Sequence, residues 1–451
     1  MLAGVSLAGW LIFSADPGEG DPLTLAIDEI VEEEMRSGPI SGMSVAVSRG
    51  LRILHAKGYG YADLENELPA NAQTIYPVGS ITKQFTAAAV LKLVEDGEVR
   101  LDAPVTQYLP EYSAFASVTV EQLLTHTAGV ADYTVMAAWW ETLGLEMPPA
   151  RLAAFFAHEP LDFEPGSRFS YSNSGYVLLG MVIEAVTGQP YGGHLNARIF
   201  VPGRFESTAY CDDRRLIPNR ARGYQAVEGG YQHAQYVSMS QAYSAGGICS
   251  NVIDLLRWSR ALSRGAVVAG RSYDAMSSSA RLSDGSRIEY GYGLAVSYLD
   301  GHHRLTHIGG MLGFAGHVSH YDQDGVTVAV LTNTEGANAA RIATEVARVV
   351  LGLEDQAFAD IALPEDDLAL YTGRYDLGLT TVDVVAVDGR LQTEVTVPGA
   401  EGRYVFQYQG DHTFVAADDS EVSVTFSLVD GRVVGMVVYR AGITVRGTRV
   451  E

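Results

Sequence analysis

The chain has 451 residues, with 31 basic and 54 acidic side chains and a formal net charge of −23. This acidic balance argues against a nucleic-acid partner, because phosphate binding needs clustered lysine and arginine. We interpret the charge as an aid to solubility. Hydrophobic residues make up 47% of the chain and charged residues 19%, which is typical of a globular protein without extended disorder. The length allows a large core and more than one domain.

The N-terminal segment bears on where the protein resides. Leu2–Ala15 is apolar and resembles the hydrophobic part of a secretory signal, although no lysine or arginine precedes it and Phe13-Ser-Ala15 is a poor cleavage site. The segment is too short for a transmembrane helix, and no other stretch could span a bilayer, so no integral membrane domain is expected. We predict a leader or signal-like segment at residues 1–20 and a periplasmic or secreted protein. A disordered tail on a cytoplasmic protein is the alternative.

Downstream, the hydrophobic pattern predicts strands on either side of a mainly helical region. The expected elements, in chain order, are a helix at Leu23–Arg36, a strand pair at Met43–Ser48 and Arg52–Tyr59, helices from about 80 to 263, strand-like runs from 291 to 332 and a helix at Ala337–Val350. This segregated order favours an α+β fold over a doubly wound sheet.

Ser80-Ile-Thr-Lys83 places a hydroxyl three residues before an amine. Residues three apart on an α-helix share a face, so Ser80 and Lys83 can meet within one turn. The run that follows, Phe85–Val94, is apolar nearly all round and predicts a buried helix that ends near Gly97. The positive end of the helix dipole would favour negative charge developing on Ser80. Because burial disfavours the charged form of an amine, a neutral Lys83 could accept the Ser80 proton.

Two further motifs supply complementary groups. Tyr171-Ser-Asn173 offers a phenol that can share a proton with the amine, and His307-Ile-Gly309 offers a small-residue strand whose backbone N–H can face an oxyanion. Ser-x-x-Lys alone arises readily by chance, so the order and wide spacing of the three motifs matter most. Together they predict a serine hydrolase built on Ser and Lys, without a Ser-His-Asp triad. The chain has no Gly-x-Ser-x-Gly elbow of the α/β-hydrolases.

With these motifs the chain resembles the serine β-lactamase and penicillin-binding-protein superfamily, in its class C-like branch. That branch also holds carboxylesterases, D-aminopeptidases and D-Ala-D-Ala carboxypeptidases. The other segments that carry the resemblance are Leu123–Gly129, Phe163–Tyr176, Ser244–Ser250, Asp254–Trp258, Tyr290–Leu294 and Val328–Asn333. The resemblance covers about residues 25–352. It implies a β-lactamase/transpeptidase-like antiparallel sheet with a helical subdomain, expected as a hydrolase domain over residues 22–355.

The resemblance also implies roles for individual residues. Ser80 would be the nucleophile, and Lys83 with Tyr171 would be the proton-transfer pair. Asn173 would contact the acyl part of the substrate. The backbone N–H groups of Ser80 and Gly310 would form the oxyanion hole. No cofactor is expected.

His307 departs from part of the superfamily, and it guides the choice of substrate. Together with Gly309 it would contact substrate, but many β-lactamases and penicillin-binding proteins have a lysine in its place. A lysine is a fixed cation suited to a substrate carboxylate, whereas histidine is largely neutral near pH 7. Esterases and aminopeptidases of the branch commonly have histidine here.

The expected substrate is therefore a small molecule or a short peptide. We predict first a carboxylesterase on small acyl esters, then a D-aminopeptidase or D-Ala-D-Ala carboxypeptidase type of peptidase, then a β-lactamase. An inactive ligand-binding homologue is the non-enzyme alternative. Such a protein would be expected to lose the serine, lysine or tyrosine, and this chain retains all three.

Other reactive side chains are interpreted as structural. Cys211 and Cys249 allow one disulfide or two free thiols, and the sequence leaves both open. His317, His320 and Asp322 are interpreted as ordinary strand residues, so no metal site is predicted. The oligomeric state is left open.

The C-terminal region changes pattern after an acidic, proline-containing stretch between Leu353 and Asp367. Period-two alternation then runs through Thr381–Val387, Leu391–Val397, Tyr404–Tyr408, Val422–Leu428 and Val433–Tyr439, with Asp-Gly turns at 388 and 430. Such runs predict antiparallel hairpins. Leu370–Tyr375 resembles the start of a lipocalin-like module attached to some of these hydrolases. We therefore predict a small antiparallel β-barrel as a separate domain at residues 365–451.

Overall fold

A computed structural model describes residues 20–354, 358–378, 380–395, 402–440 and 442–450. The leader predicted at residues 1–20 lies outside these residues except for its last position. Within the described ranges, no helix combines the length and the apolar character needed to cross a bilayer.

Two groups of β-strands make up the framework. The strands before the C-terminal region are β1 Gly42–Arg49, β2 Arg52–Asp63, β3 Leu68–Pro69, β4 Tyr76–Pro77, β5 Ala209–Tyr210, β6 Tyr224–Val227, β7 Gly230–His233, β8 Ile248–Ser250, β9 Ala295–Leu299, β10 His302–Met311, β11 Phe314–Tyr321 and β12 Val326–Thr332. The C-terminal strands are β13 Gly373–Asp376, β14 Thr381–Val387, β15 Arg390–Val395, β16 Gly402–Gly410, β17 Thr413–Ala416, β18 Asp419–Val429, β19 Arg432–Arg440 and β20 Ile443–Arg449.

The helices are concentrated between β4 and β9. They are α1 Pro22–Ser37, α2 Thr82–Glu95, α3 Val120–Leu124, α4 Ala137–Trp140, α5 Pro149–Ala153, α6 Asn173–Thr187, α7 Tyr191–Leu195, α8 Val201–Gly203, α9 Met239–Gly246, α10 Val252–Ser263, α11 Gly270–Met276, α12 Ala339–Leu351 and α13 Glu365–Leu368.

The central sheet has seven antiparallel strands in the order β3-β2-β1-β12-β11-β10-β9. Alternate residues of a strand face opposite sides of a sheet, and β12 uses both faces. Val328 and Val330 pack in a core with α1 and α12, whereas Ala329 and Leu331 pack in the larger core that contains α2 and α6. The strand is therefore buried along its whole length, because helices cover both of its faces. This architecture confirms the predicted α+β class.

Helix α2 confirms the burial predicted from its apolar run. Eleven of its residues are buried, including Lys83 and Phe85. The structure refines its start, because Ser80 lies in a 3₁₀ turn at Gly79–Ile81 and the α-helix begins at Thr82. Ser80 and Lys83 still lie one turn apart. The short strands β5 to β8, inside the region predicted as helical, were not expected from the sequence.

The C-terminal strands close into an eight-stranded antiparallel barrel, β13 to β20 in sequence order, which confirms the predicted barrel. The five predicted runs correspond to β14, β15, β16, β18 and β19, although the end of the second run lies outside the described residues. Strands β13, β17 and β20 were missed as alternating runs, because they are short or carry polar residues on both faces. Whether residues 365–451 fold as an independent domain remains a prediction.

A disulfide joins Cys211 and Cys249, whose Cα atoms are 5.2 Å apart, and resolves the alternative left open by the sequence. Cys249 lies on β8, the middle strand of a small sheet in the order β4-β8-β5. On the neighbouring strand β4, Cys249 pairs with Pro77, which lies three residues before Ser80. The disulfide thus fixes a strand that adjoins the Ser80 turn.

Replacing both cysteines with alanine should lower the free energy of unfolding by about 2–5 kcal/mol, because the disulfide restricts the unfolded chain. Thermal unfolding followed by circular dichroism tests this. A reductant should lower the melting temperature of the parent protein and leave that of the double variant unchanged. A double variant that melts with the non-reduced parent would contradict the prediction.

Candidate active site

Ser80 is placed by a close approach between two backbone segments. Gly79 has φ +53°, and a Cβ added to it would lie 2.8 Å from the Gly310 nitrogen. A Cβ on Gly309 would lie 2.1 Å from the Val78 oxygen. Neither position has room for a side chain, so the glycines allow β10 to lie directly against the Ser80 turn.

Lys83 is fully buried beside Ser80, with 0% of its surface exposed. Its Nζ donates to Ser80 Oγ at 3.1 Å, to Asn173 Oδ1 at 2.8 Å and to the Ala245 carbonyl at 2.9 Å. Burial lowers the pKa of Lys83 to about 7, and the negative charge of Asp132 acts in the opposite direction. The amine is therefore neutral in a large fraction of molecules near neutral pH.

Asn173 connects Lys83 to a buried carboxylate that sequence reasoning did not identify. Its backbone N–H and its Nδ2 both donate to Asp132 Oδ2, at 3.1 and 3.0 Å. The amide is thereby oriented with Oδ1 toward Lys83. Asp132 lies three residues beyond the Leu123–Gly129 segment, and an aspartate at this position was the signal available in the sequence.

Tyr171 lies half-buried beside the amine. Lys83 Nζ is 4.8 Å from the centroid of its ring, a cation–π distance when the amine is charged. Burial raises the pKa of Tyr171, whereas a hydrogen bond with Ser80 acts to lower it. The phenol is therefore neutral at physiological pH, so it can pass a proton along but is not a phenolate base.

The His126 ring packs against the ring of Tyr171. Its ring centroid is 4.2 Å from that of Tyr171. Its Nδ1 accepts from the Ser172 N–H at 3.1 Å, so the proton is on Nε2. Burial, with the charge of Lys83 second, lowers its pKa well below the usual value. His126 is therefore a neutral packing partner.

His307 is neutral and fully occupied by protein hydrogen bonds. Nδ1 donates to the Ile308 carbonyl at 2.7 Å, which leaves Nε2 to accept from the Tyr290 hydroxyl at 2.9 Å. Burial, reinforced by the charge of Lys83, lowers its pKa to about 3. Tyr290 is a second residue that sequence reasoning did not assign. The ring therefore offers no cation to a substrate carboxylate.

The strand edge beside Ser80 is open. Strand β9 pairs with β10 only as far as Thr306. Beyond it, in the part of the chain that the structure describes, His307 to Met311 pair on one side only, with β11. Gly309 and Gly310 thus lie at the edge that faces the Ser80 turn, where their backbone groups can meet a substrate.

The structure brings together every predicted site residue: Ser80, Lys83, Tyr171, Asn173, His307, Gly309 and Gly310. Among the described residues, no group of three His, Cys, Asp or Glu side chains could hold a metal ion. The arrangement can supply a hydroxyl nucleophile, an adjacent amine base and backbone donors.

The fold and this constellation define a serine hydrolase of the β-lactamase type. The Beta-lactamase family model matches residues 27–351. The chain therefore belongs to the Beta-lactamase family.

Proteins similar to the chain include penicillin-binding proteins and D-aminopeptidases. Penicillin-binding protein 4* of Bacillus subtilis is 29% identical over 65% of this chain and 68% of its own length. A D-aminopeptidase of Brucella ovis is 27% identical over 69% of this chain and 60% of its own length.

Two solved structures extend this similarity. The octameric penicillin-binding protein homologue from Pyrococcus abyssi is 25% identical with a TM-score of 0.67, and the match covers 93% of this chain and 99% of that protein. The D-amino acid amidase from Ochrobactrum anthropi, complexed with L-phenylalanine amide, is 25% identical with a TM-score of 0.66, covering 74% of this chain and 99% of that protein.

The rate at which a fluorophosphonate labels Ser80 should rise with pH through about 7, because a deprotonated Lys83 is needed to accept the serine proton. In Asp132→Asn the midpoint should move to lower pH, since the carboxylate raises the pKa of Lys83. Mass spectrometry of the adduct over pH 5–9 measures both.

Asp212→Asn is the matched control, because Asp212 pairs with Arg214 at the surface. Its profile should follow that of the parent protein. A labelling rate that is flat or falls between pH 6 and 8 would contradict the assignment of Lys83 as the base.

Proposed function

We propose that the protein is a carboxylesterase that forms an acyl-enzyme on Ser80 with small acyl esters. The observation that carries this proposal is the buried Lys83 amine, 3.1 Å from the serine hydroxyl and with a pKa near 7. The neutral state of His307 supports an ester whose acyl part carries no carboxylate.

In acylation, Ser80 Oγ attacks the ester carbonyl carbon while neutral Lys83 accepts the hydroxyl proton. The carbonyl oxygen becomes an oxyanion, which the backbone N–H groups of Ser80 and Gly310 stabilise. The C–O bond to the alcohol then breaks, and the alcohol leaves with the proton that Lys83 held, passed through Tyr171. The product is an ester between the acyl group and Ser80.

In deacylation, a water molecule attacks the acyl-enzyme. Its proton passes to Lys83 through the Tyr171 hydroxyl, and a second oxyanion forms at the same two N–H groups. Breaking the bond to Ser80 Oγ returns a proton to the serine and releases the carboxylic acid. Asn173, held by Asp132, keeps the amine directed at Ser80 throughout.

Hydrolysis of D-amino acid amides or short D-peptides is the second candidate. Its support is the similarity to the D-aminopeptidase of Brucella ovis and the D-amino acid amidase of Ochrobactrum anthropi. The same nucleophile and oxyanion donors would serve, but the leaving amine must be protonated as it departs. β-Lactam hydrolysis ranks third, because His307 provides no cation for the β-lactam carboxylate.

We also propose that the protein is exported. Disulfides persist mainly in oxidising compartments, and the Cys211–Cys249 pairing supports this location.

The parent protein should hydrolyse p-nitrophenyl acetate and butyrate, and Ser80→Ala should reduce turnover by at least about a thousandfold, since the nucleophile is removed. Peptide mapping should place the fluorophosphonate adduct on Ser80. D- and L-aminoacyl p-nitroanilides and nitrocefin, assayed in parallel, rank the alternatives. A D-specific anilide cleaved faster than every ester would move the second candidate to first, and an adduct on another serine would refute the proposal.

Lys83→Ala, Tyr171→Phe and the double variant should lose similar activity, because groups that act as one unit are strongly non-additive. Steady-state kcat with p-nitrophenyl acetate measures the three losses. Tyr298→Phe is a useful control, since it removes the hydroxyl of a tyrosine on β9 that is 65% exposed. If the two single losses multiply in the double variant, Lys83 and Tyr171 act independently and the mechanism is wrong.

A further inference from the structure

The barrel and the hydrolase domain share a buried ion pair. Arg304 on β10 is 0% exposed, and Glu421 on β18 is 4% exposed. The guanidinium donates from Nη1 and Nη2 to the two carboxylate oxygens at 3.1 and 2.9 Å. Its other bonds go to Ser297 and Thr344 in the hydrolase domain and to the Tyr439 hydroxyl in the barrel.

This pairing is complete on the arginine side. A guanidinium has five N–H donors, and Arg304 makes five hydrogen bonds. Burying two charges costs much hydration energy, and removal of one partner leaves the other charge unpaired in the interior. The buried charge of Arg304 is therefore balanced by Glu421, a residue of the barrel. Arg304 lies on β10, three residues before His307.

The start of β20 makes a second, apolar contact. Ile443 packs against a buried cluster that includes Tyr290 and Ala295. Next to it, Gly442 lies so close to β10 that a Cβ on it would be 2.8 Å from Thr306 Cγ2. The barrel thus touches β9, β10 and the tyrosine whose hydroxyl binds His307 Nε2.

These contacts reach β10 and its neighbours, and β10 is the strand that supplies the Gly310 N–H as one oxyanion donor. Thr306 precedes His307, and Gly310 follows three residues later at the open edge facing Ser80. An oxyanion donor must be held in position, because small misplacements in a site can cost large factors in rate. Beyond Thr306, one edge of β10 has no neighbouring strand among the described residues. Contacts other than strand pairing must therefore fix the position of this edge.

We propose that the barrel is a positioning element of the active site: through Glu421 and Ile443 it holds β10, with Tyr290, His307 and Gly310, in register with Ser80. The inference rests on the proposed acyl-enzyme function. Ile443 and Glu421 touch no reacting atom and act through Tyr290 and β10.

The test compares variants of the full-length chain. Ile443→Ala should lower kcat for p-nitrophenyl acetate by about tenfold or more, with a smaller change in KM, because an oxyanion donor acts chiefly in the transition state. Ile443→Val keeps most of the contact and should stay within about twofold of the parent. Val385→Ala is the matched control, since it shortens a 40% exposed valine elsewhere on the barrel.

Glu421→Gln tests the ion pair independently. It should lower both the melting temperature, by several degrees, and the rate of Ser80 labelling by a fluorophosphonate. Asp383→Asn, which removes a carboxylate from an exposed pair with Arg374, should change neither. All rates are measured at a temperature where circular dichroism shows each variant to be folded.

The outcomes separate the two proposals. A parent protein that is not labelled at Ser80 would refute the proposed function. A labelled and active parent whose folded Ile443→Ala and Glu421→Gln variants keep parental kcat and labelling rates would refute the positioning role alone. An Ile443→Ala variant that does not fold leaves the decision to Glu421→Gln, and a folded Glu421→Gln variant that keeps the kcat and labelling rate of Asp383→Asn would then refute the positioning role.

Discussion

Burial of the Lys83 amine beside Ser80 is the constraint on which the site depends. An ammonium inside a protein loses its hydration, and the loss is tolerable only if the group becomes neutral or finds several acceptors. Lys83 meets both conditions, with a pKa near 7 and three oxygen acceptors. Helix α2 creates the environment because it is buried on nearly all its faces, so a lysine on its first turn has no path to solvent. The reactivity of the serine thus follows from the packing of the helix behind it.

The groups around this amine are mostly neutral or held in fixed orientations. Asp132 is the negative charge that acts on Lys83, and it accepts two hydrogen bonds from Asn173. His126 and His307 are both kept neutral by burial and by the nearby lysine, so neither competes with Lys83 as a cation. Among the described residues, the charges that act at the Ser80 hydroxyl are those of the Lys83 amine and of Asp132, and the other donors are backbone N–H groups. This arrangement agrees with the proposal that uncharged acyl groups are preferred over substrates that must bind through a carboxylate.

The C-terminal barrel has its own core and also makes buried polar contacts with the residues of the hydrolase region. Its internal cluster of aromatic and aliphatic side chains, including Tyr375, Phe414 and Phe426, is separate from the cores of the central sheet. Yet its surface carries Glu421 and Asp419, and both bind hydrolase side chains, Arg304 and Asn338 respectively. Buried polar contacts of this kind fix geometry more strictly than apolar contacts, because a shift of either partner leaves a charge or donor unsatisfied.

The sequence by itself determined the local chemistry and the local structure. The spacing of Ser80 and Lys83, the apolar run of α2 and the alternating strands of the barrel are short-range patterns, and the structure places them as predicted except for the 3₁₀ turn at Ser80. The short strands β5 to β8 have too few residues to show a period. Only the tertiary structure decided three side-chain contacts. Asn173 donates to Asp132, and the Tyr290 hydroxyl donates to His307. Arg304 pairs with Glu421 of the barrel. These partners are separated by 17 to 117 residues. Burial and pairing at such separations are set by how the sheet, the helices and the barrel pack, which no local pattern records.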